Sequence, residues 1–142
     1  MATAVLYTAQ VLGLAIELAR YPLAEDLPLR AEARSRSCGS TIAIGLATGT
    51  DGRVERVGVR SQACAIGQAS AAIFASAVAG LDAARIAQAR DGVAAWLAGE
   101  GGLPDWPGMA TIVAARDYPA RHGAVMLPWD AACRALSGGG AE

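Results

Sequence analysis

The stretch from 41 to 62, TIAIGLATGTDGRVERVGVRSQ, constrains this chain more than any other. Ile42, Ile44 and Leu46 fall on one parity, Thr41, Ala43 and Gly45 on the other, and Asp51-Gly52 follows. Apolar residues at period two require a strand with one buried face, and Asp-Gly is a strong signal for a tight hairpin turn. The return run has Val57 and Val59 in phase with each other and Val54 out of phase, which predicts a bulge near Glu55 and Arg56. A third, edge strand is expected in the extended stretch from Leu29 to Arg36, after Pro28.

Around this hairpin the pattern turns helical. Thr8 is placed to cap a helix from Ala9 to Arg20, with apolar residues at Val11, Leu12, Ala15, Ile16, Leu18 and Ala19, and Pro22 stops it. AIGQASAAIFASAVAG, from 65 to 80, is nearly all small or apolar, so it predicts a helix buried on most sides and closed by Gly80. Asp82 is expected to cap a short helix through Arg90, and Asp91 to begin a second one reaching Trp96 and Leu97. GEGGLPDWPGM reads as a loop whose Trp106 docks back on the body. A last helix enters after Pro119, and Pro128 within it is tolerable in the first turns and kinks the helix if deeper. Helix, then two or three antiparallel strands, then helices is an α+β order: a small sheet of about three strands packed against several α-helices.

At 142 residues the length favours a single domain, placed at 1–136, with 137–142 (SGGGAE) a disordered tail. A formal charge of −1 supplies no broad positive field, so neither nucleic acid nor an anionic membrane is an expected partner. The run from Val11 to Ala19 contains Glu17, lacks a basic leader and is too short to span a bilayer. A cytoplasmic location follows as the default, and three cysteines in a reducing compartment are more often ligands, reactive thiols or buried filler than disulfide partners.

Cys38 precedes one hairpin strand and Cys64 follows the other, 26 positions later. A hairpin returns its outer ends to one place, so the two thiols are expected within ~5 to 10 Å of each other. Arg34, Arg36, Arg60 and the amino end of the helix after Cys64 would each favour a thiolate. Converging thiols of this kind make part of a soft-metal site or a redox pair. Cys133, one turn before the end of the last helix, reads as buried filler. His122 is the single histidine, and beside two cysteines it becomes a candidate third ligand.

Four blocks carry a family resemblance: LYTAQVLGLAIELARYP, RSCGSTIAIGL, QACAIGQASAAIF and YPARHGAVMLPWDAA. The chain resembles the IscU/NifU-type scaffolds of iron–sulfur cluster assembly, nearest their SufU-like branch, over nearly its whole length. That resemblance implies a small antiparallel sheet flanked by helices and a site of three cysteines and an aspartate. Cys38 matches the first cysteine and Cys64 the second, whereas Ser40 stands where the aspartate belongs. The third cysteine falls on Ala124, or on Gly123 with a one-residue shift. Cys133 cannot replace it, because nine residues of helix carry a side chain ~13.5 Å along the axis and onto the opposite face.

The resemblance therefore implies a reduced ligand set, Cys38, Cys64 and His122 with Ser40 or water as the fourth, for iron, an iron–sulfur cluster or zinc. It implies a cysteine desulfurase and apo iron–sulfur proteins as partners, and a scaffold instead of an enzyme. The Leu-Pro-Pro motif of the IscU branch is absent, so handoff through an Hsp70-type chaperone has no support. Two other readings stay open: a metal-free paralogue that regulates assembly by binding a partner, and a thiol redox module in which Cys38 and Cys64 form a reversible disulfide.

Overall fold

The computed structural model describes residues 6–37 and 39–138. Its elements run α1 (Ala9–Glu17), β1 (Leu29–Arg34), β2 (Thr41–Thr48), β3 (Val54–Gln62), α2 (Ala65–Ala77), α3 (Ala83–Leu97) and α4 (His122–Leu136). Three 3-10 segments join them: Leu18–Arg20 continues α1, and Met109–Asp117 and Pro119–Arg121 lead into α4. The expected α+β architecture is the observed one, an antiparallel sheet ordered β1-β2-β3 with helices packed against it.

The hairpin forms as its period demands. Ile44 pairs with Val59 and Leu46 with Val57, and Ile42, Ile44 and Leu46 are all buried. The register slips by one between Ala47 and Thr48, so that Thr48 faces Val54. This is the bulge read from the valine spacing, and it rotates Val54 onto the buried face, where it is 2% exposed. β1 is an edge strand ending at Arg34, two residues earlier than the sequence predicts, because the chain turns there instead of continuing to pair.

The opposite face of the sheet is also covered. Gly45 and Gly58 face each other across β2 and β3, and the segment from Pro22 to Leu27 lies over them. A Cβ on Gly58 would run into the Pro22 carbonyl and stand 2.9 Å from Leu23 Cα. The Val59 N–H donates to the Tyr21 carbonyl at 2.8 Å, and an Asp26–Arg56 ion pair at 2.9 Å ties the outside of this strap to β3. Nothing in the strap's sequence announces this role.

α1 starts where Thr8 accepts from the Val11 N–H at 3.1 Å. It turns Val11 into the core, with Leu14 and Leu18 packed behind, while Leu12 and Ile16 stay 47% and 76% exposed. α2 has Ser76 as its one exposed residue; Ile66, Gly67, Ala69 and every residue from Ser70 to Ala75 are buried. It ends at Ala77, short of Gly80, whose left-handed φ of 90° serves the following turn. There Gly80 donates to the Val54 carbonyl and Val54 donates to the Leu81 carbonyl.

The two helices expected on either side of Asp91 are one continuous helix, α3. Asp82 caps it as predicted, accepting from the Arg85 N–H at 2.9 Å. Ile86, Val93, Trp96 and Leu97 form one buried stripe that runs straight past Asp91, and burial of that stripe outweighs the local preference of Asp91-Gly92 for a new start. Trp106 does dock back: its Nε1–H donates to the Ile73 carbonyl at 2.9 Å, and its ring stacks on Phe74 with centroids 5.4 Å apart. Trp129 of α4 meets both rings edge-on at 5.6 and 5.3 Å, closing the core between α2 and α4. Pro128 lies beyond the first turn of α4, which continues through it, and Ser70 of α2 donates its hydroxyl to the Val125 carbonyl in the preceding turn at 2.7 Å.

Gly58→Ala should lower stability by about 1–3 kcal/mol, because the methyl meets backbone that cannot swing away. Gly45→Ala should cost less, since its methyl meets side-chain atoms of Leu23 and Leu27. Urea unfolding midpoints of the two variants test the order.

Candidate functional site

Where β1 passes to β2 the chain makes a tight turn. The Ser35 N–H donates to the Ser40 carbonyl at 2.8 Å, and the Gly39 N–H donates to the Ser35 carbonyl at 2.9 Å. Gly39 holds a φ of 71°, a conformation that glycine adopts without steric cost. Thr41 then pairs with Gln62, the last residue of β3. The hairpin thus delivers the turn after β1 and the start of α2 to one end of the sheet. Gly39, Ser40, Gln62, Ala63, Cys64 and Arg121 line a single open cleft there, of about 350 Å³.

Cys38 lies outside the described residues, so the expected distance between the two thiols has no counterpart here. Its neighbour Gly39 and Cys64 do border the same cleft. Cys64 is half-buried and occupies the N-cap of α2 without using its side chain to cap, so the sulfur remains free for other chemistry. Its carbonyl accepts from the Gln68 N–H at 3.0 Å, and Gln68 Nε2 donates to the Ala63 carbonyl at 2.9 Å, which fixes the entry to the helix. Ser40 is 4% exposed and forms part of the cleft wall.

His122 opens α4 and is not among the residues lining this cleft; the preceding residue, Arg121, is. The His122 Nε2 lies 2.8 Å from the Arg116 carbonyl. A carbonyl only accepts, so Nε2 carries the proton, and in the neutral ring Nδ1 holds the lone pair. Among the described residues, no three His, Cys, Asp or Glu side chains come together as a metal-binding group. Cys133 faces a different cleft, shared with Arg34, Arg90, Asp130 and Arg134, and burial pushes its thiol pKa up. Half-buried and packed against the core, it fits the role of filler.

The two positions that align with a third cysteine are both closed. Ala124 is fully buried against Gly67 of α2, where a Cβ on the glycine would stand 3.4 Å from the Ala124 methyl. Gly123 faces the turn after β1: a Cβ there would collide with the Ser35 hydroxyl and lie 3.5 Å from Ser37 Oγ. Ser35 and Ser37 hydroxyls are 3.2 Å apart, and Ser37 donates to the Ala120 carbonyl at 3.0 Å. Sequence reasoning singled out His122 and passed over Arg121, Ser35 and Ser37. Arg121 stands in the same YPARHGAV block and donates from Nε to the Tyr7 hydroxyl at 3.2 Å; only the turn of the chain shows that it lines the cleft that Cys64 lines.

No family model and no curated protein matches the chain at the sequence level. Solved structures do match. The N-terminal part of a nitrogen-fixing NifU-like protein from Brucella abortus superposes with a TM-score of 0.84 at 30% identity, over 94% of this chain and 95% of that one. An iron–sulfur cluster assembly scaffold protein for the SUF system, from Fervidobacterium islandicum AW-1, superposes at 0.82 with 18% identity, over 92% and 96%. The second likeness is one of fold. Among the described residues, no helix is long and apolar enough to cross a membrane.

Gly123→Ala should destabilise the protein by about 1–3 kcal/mol through its clash with Ser35, and Ser35→Gly added to it should restore most of the loss. Simple additivity of the two changes in a thermal unfolding cycle would show that the two residues do not compete for one space.

Proposed function

The chain belongs to the IscU/NifU/SufU-type family of iron–sulfur cluster scaffold proteins, and from that membership we propose that it serves cluster assembly as a scaffold with a reduced ligand set. Cys38 and Cys64 are its thiolate donors in this reading, with Ser40 and His122 as the remaining candidates, and a cysteine desulfurase is its partner. It moves cargo and does not turn over a substrate, and it works in the cytoplasm on apo iron–sulfur proteins.

The observation that carries this reading is the pairing of an open cleft at Cys64 with closed positions at 123 and 124. A cluster held by one chain takes four thiolates or close substitutes, a demand that the closed positions 123 and 124 do not help to meet. A single soft ion asks for less. Zinc or iron is held by two thiolates when an imidazole, hydroxyl or water completes the tetrahedron. Lining the cleft, Ser40 is a weak donor at neutral pH; the His122 ring, with Nε2 already donating, has Nδ1 left for a metal.

The same closed positions favour one second reading, a metal-free member of the family that engages the desulfurase without carrying cargo. Elemental analysis of protein purified without oxygen or chelator, together with desulfurase co-elution, separates the two. Near-stoichiometric zinc or iron in the wild type that is lost in both Cys38→Ser and Cys64→Ser supports the reduced ligand set. Desulfurase binding without metal, before and after reconstitution with iron and sulfide, supports the second reading. If metal content and desulfurase binding are both nil, or unchanged in the two variants, the assignment of the pair is wrong.

A further inference from the structure

Arg34 at the end of β1, Arg90 on α3 and Arg134 on α4 line one open cleft of about 510 Å³, with Asp130, Cys133 and Ser137 on its wall. It shares no lining residue with the cleft at Cys64. The three arginines are far apart in sequence in a chain of formal charge −1, so it is the fold that concentrates their charge. Their present partners leave that charge largely unanswered. The Arg34 side chain, exposed at the end of β1, has no hydrogen bond or ion pair among the described residues. Arg134 donates to the Glu32 carbonyl, a neutral acceptor, and Arg90 meets Asp91 at 3.4 Å in an exposed pair of the kind that contributes little.

Besides the exposed Asp91, one carboxylate opposes them. Asp130 sits half-buried in the same wall, its acid pushed up by burial and drawn back down by Arg90 and Arg134. The carboxyl end of α4, with its partial negative charge, also ends here, and Ser137 donates to the Arg134 carbonyl. Three full positive charges exceed the two carboxylates, Asp91 and Asp130, and the Asp91 side chain is 74% exposed and screened by water, so the cleft keeps a positive balance against the partial charge of the helix end. Guanidinium groups present forked donors that match the paired oxygens of a phosphate, and three forks from three elements can meet one tetrahedral anion from different sides.

We propose that the cleft between β1, α3 and α4 binds the phosphate group of a small ligand through Arg34, Arg90 and Arg134. The site stands apart from the reading of the Cys64 cleft and does not depend on it. Calorimetric titration of the full chain at low ionic strength with inorganic phosphate, and separately with glycerol 3-phosphate, tests it. Saturable binding at one site is expected, weakened about tenfold by Arg34→Gln and by Arg90→Gln, as loss of a charged hydrogen bond implies. Asp130→Asn, which removes the opposing charge at constant shape, should tighten binding by about three- to tenfold. Equal affinity for both probes would assign the phosphate group itself as the ligand, and a tighter ester would assign part of the cleft wall to the rest of the molecule; both support the site. Arg34 is exposed, so its variant keeps the fold and decides the matter if Arg90→Gln does not fold. Absence of saturable binding, or affinities unchanged in the folded arginine variants, would overturn the proposal.

Discussion

α2 is enclosed on nearly every side, and a helix so enclosed can be packed without voids only if its own side chains are small enough for neighbours to approach. Its alanines, Gly67 and Ser70 meet that requirement, and α1, α4, β3 and the 109–117 segment all pack on it. The larger side chains are spent at two points: Ile66 and Ile73 fill the core, and Phe74 stacks on Trp106 and meets Trp129 edge-on. Ser70, the one fully buried polar residue of the helix, satisfies the Val125 carbonyl close to the proline in α4. Because Cys64 is the N-cap of α2, the tightness of the helix's packing also fixes where that cysteine stands.

The same closeness governs the corner where α4 begins. Gly67 and Ala124 bring α2 and α4 together, and Gly123 lets the Ser35–Ser37 turn lie against the entry to α4. The corner is therefore organised by contact between small groups, and its space is taken by hydroxyls and methyls where a larger ligand side chain would need room. The open part of the site is confined to the hairpin end, between Ser40, Cys64 and Arg121. Among the described residues, the side chains at this end that carry a donor atom and line the cleft are Ser40, Gln62, Cys64 and Arg121.

Much of this was legible. The period-two run, Asp51-Gly52 and the displaced Val54 gave both strands and the bulge, because a buried sheet face leaves no freedom in parity. Thr8 and Asp82 marked their helix starts because a side-chain oxygen there satisfies an otherwise unpaired N–H. The division of α3 at Asp91 failed because local capping chemistry is weaker than a buried stripe that continues past it. The strap over Gly45 and Gly58 was invisible because a glycine in a strand does not say which segment will approach it.

By itself, then, the sequence determined the elements, the antiparallel register and the meeting of both ends of the hairpin, all of which follow from local dihedral preference and the alternation of buried and exposed positions. Only the tertiary structure decided which side chains share a cleft. That Arg121 lines the cleft at Cys64, that Gly123 answers to Ser35, and that Arg34, Arg90 and Arg134 share a cleft are consequences of how helices seat on the sheet. Those placements are set by side-chain volumes at contacts between residues distant in the chain, a quantity that no local window of sequence contains.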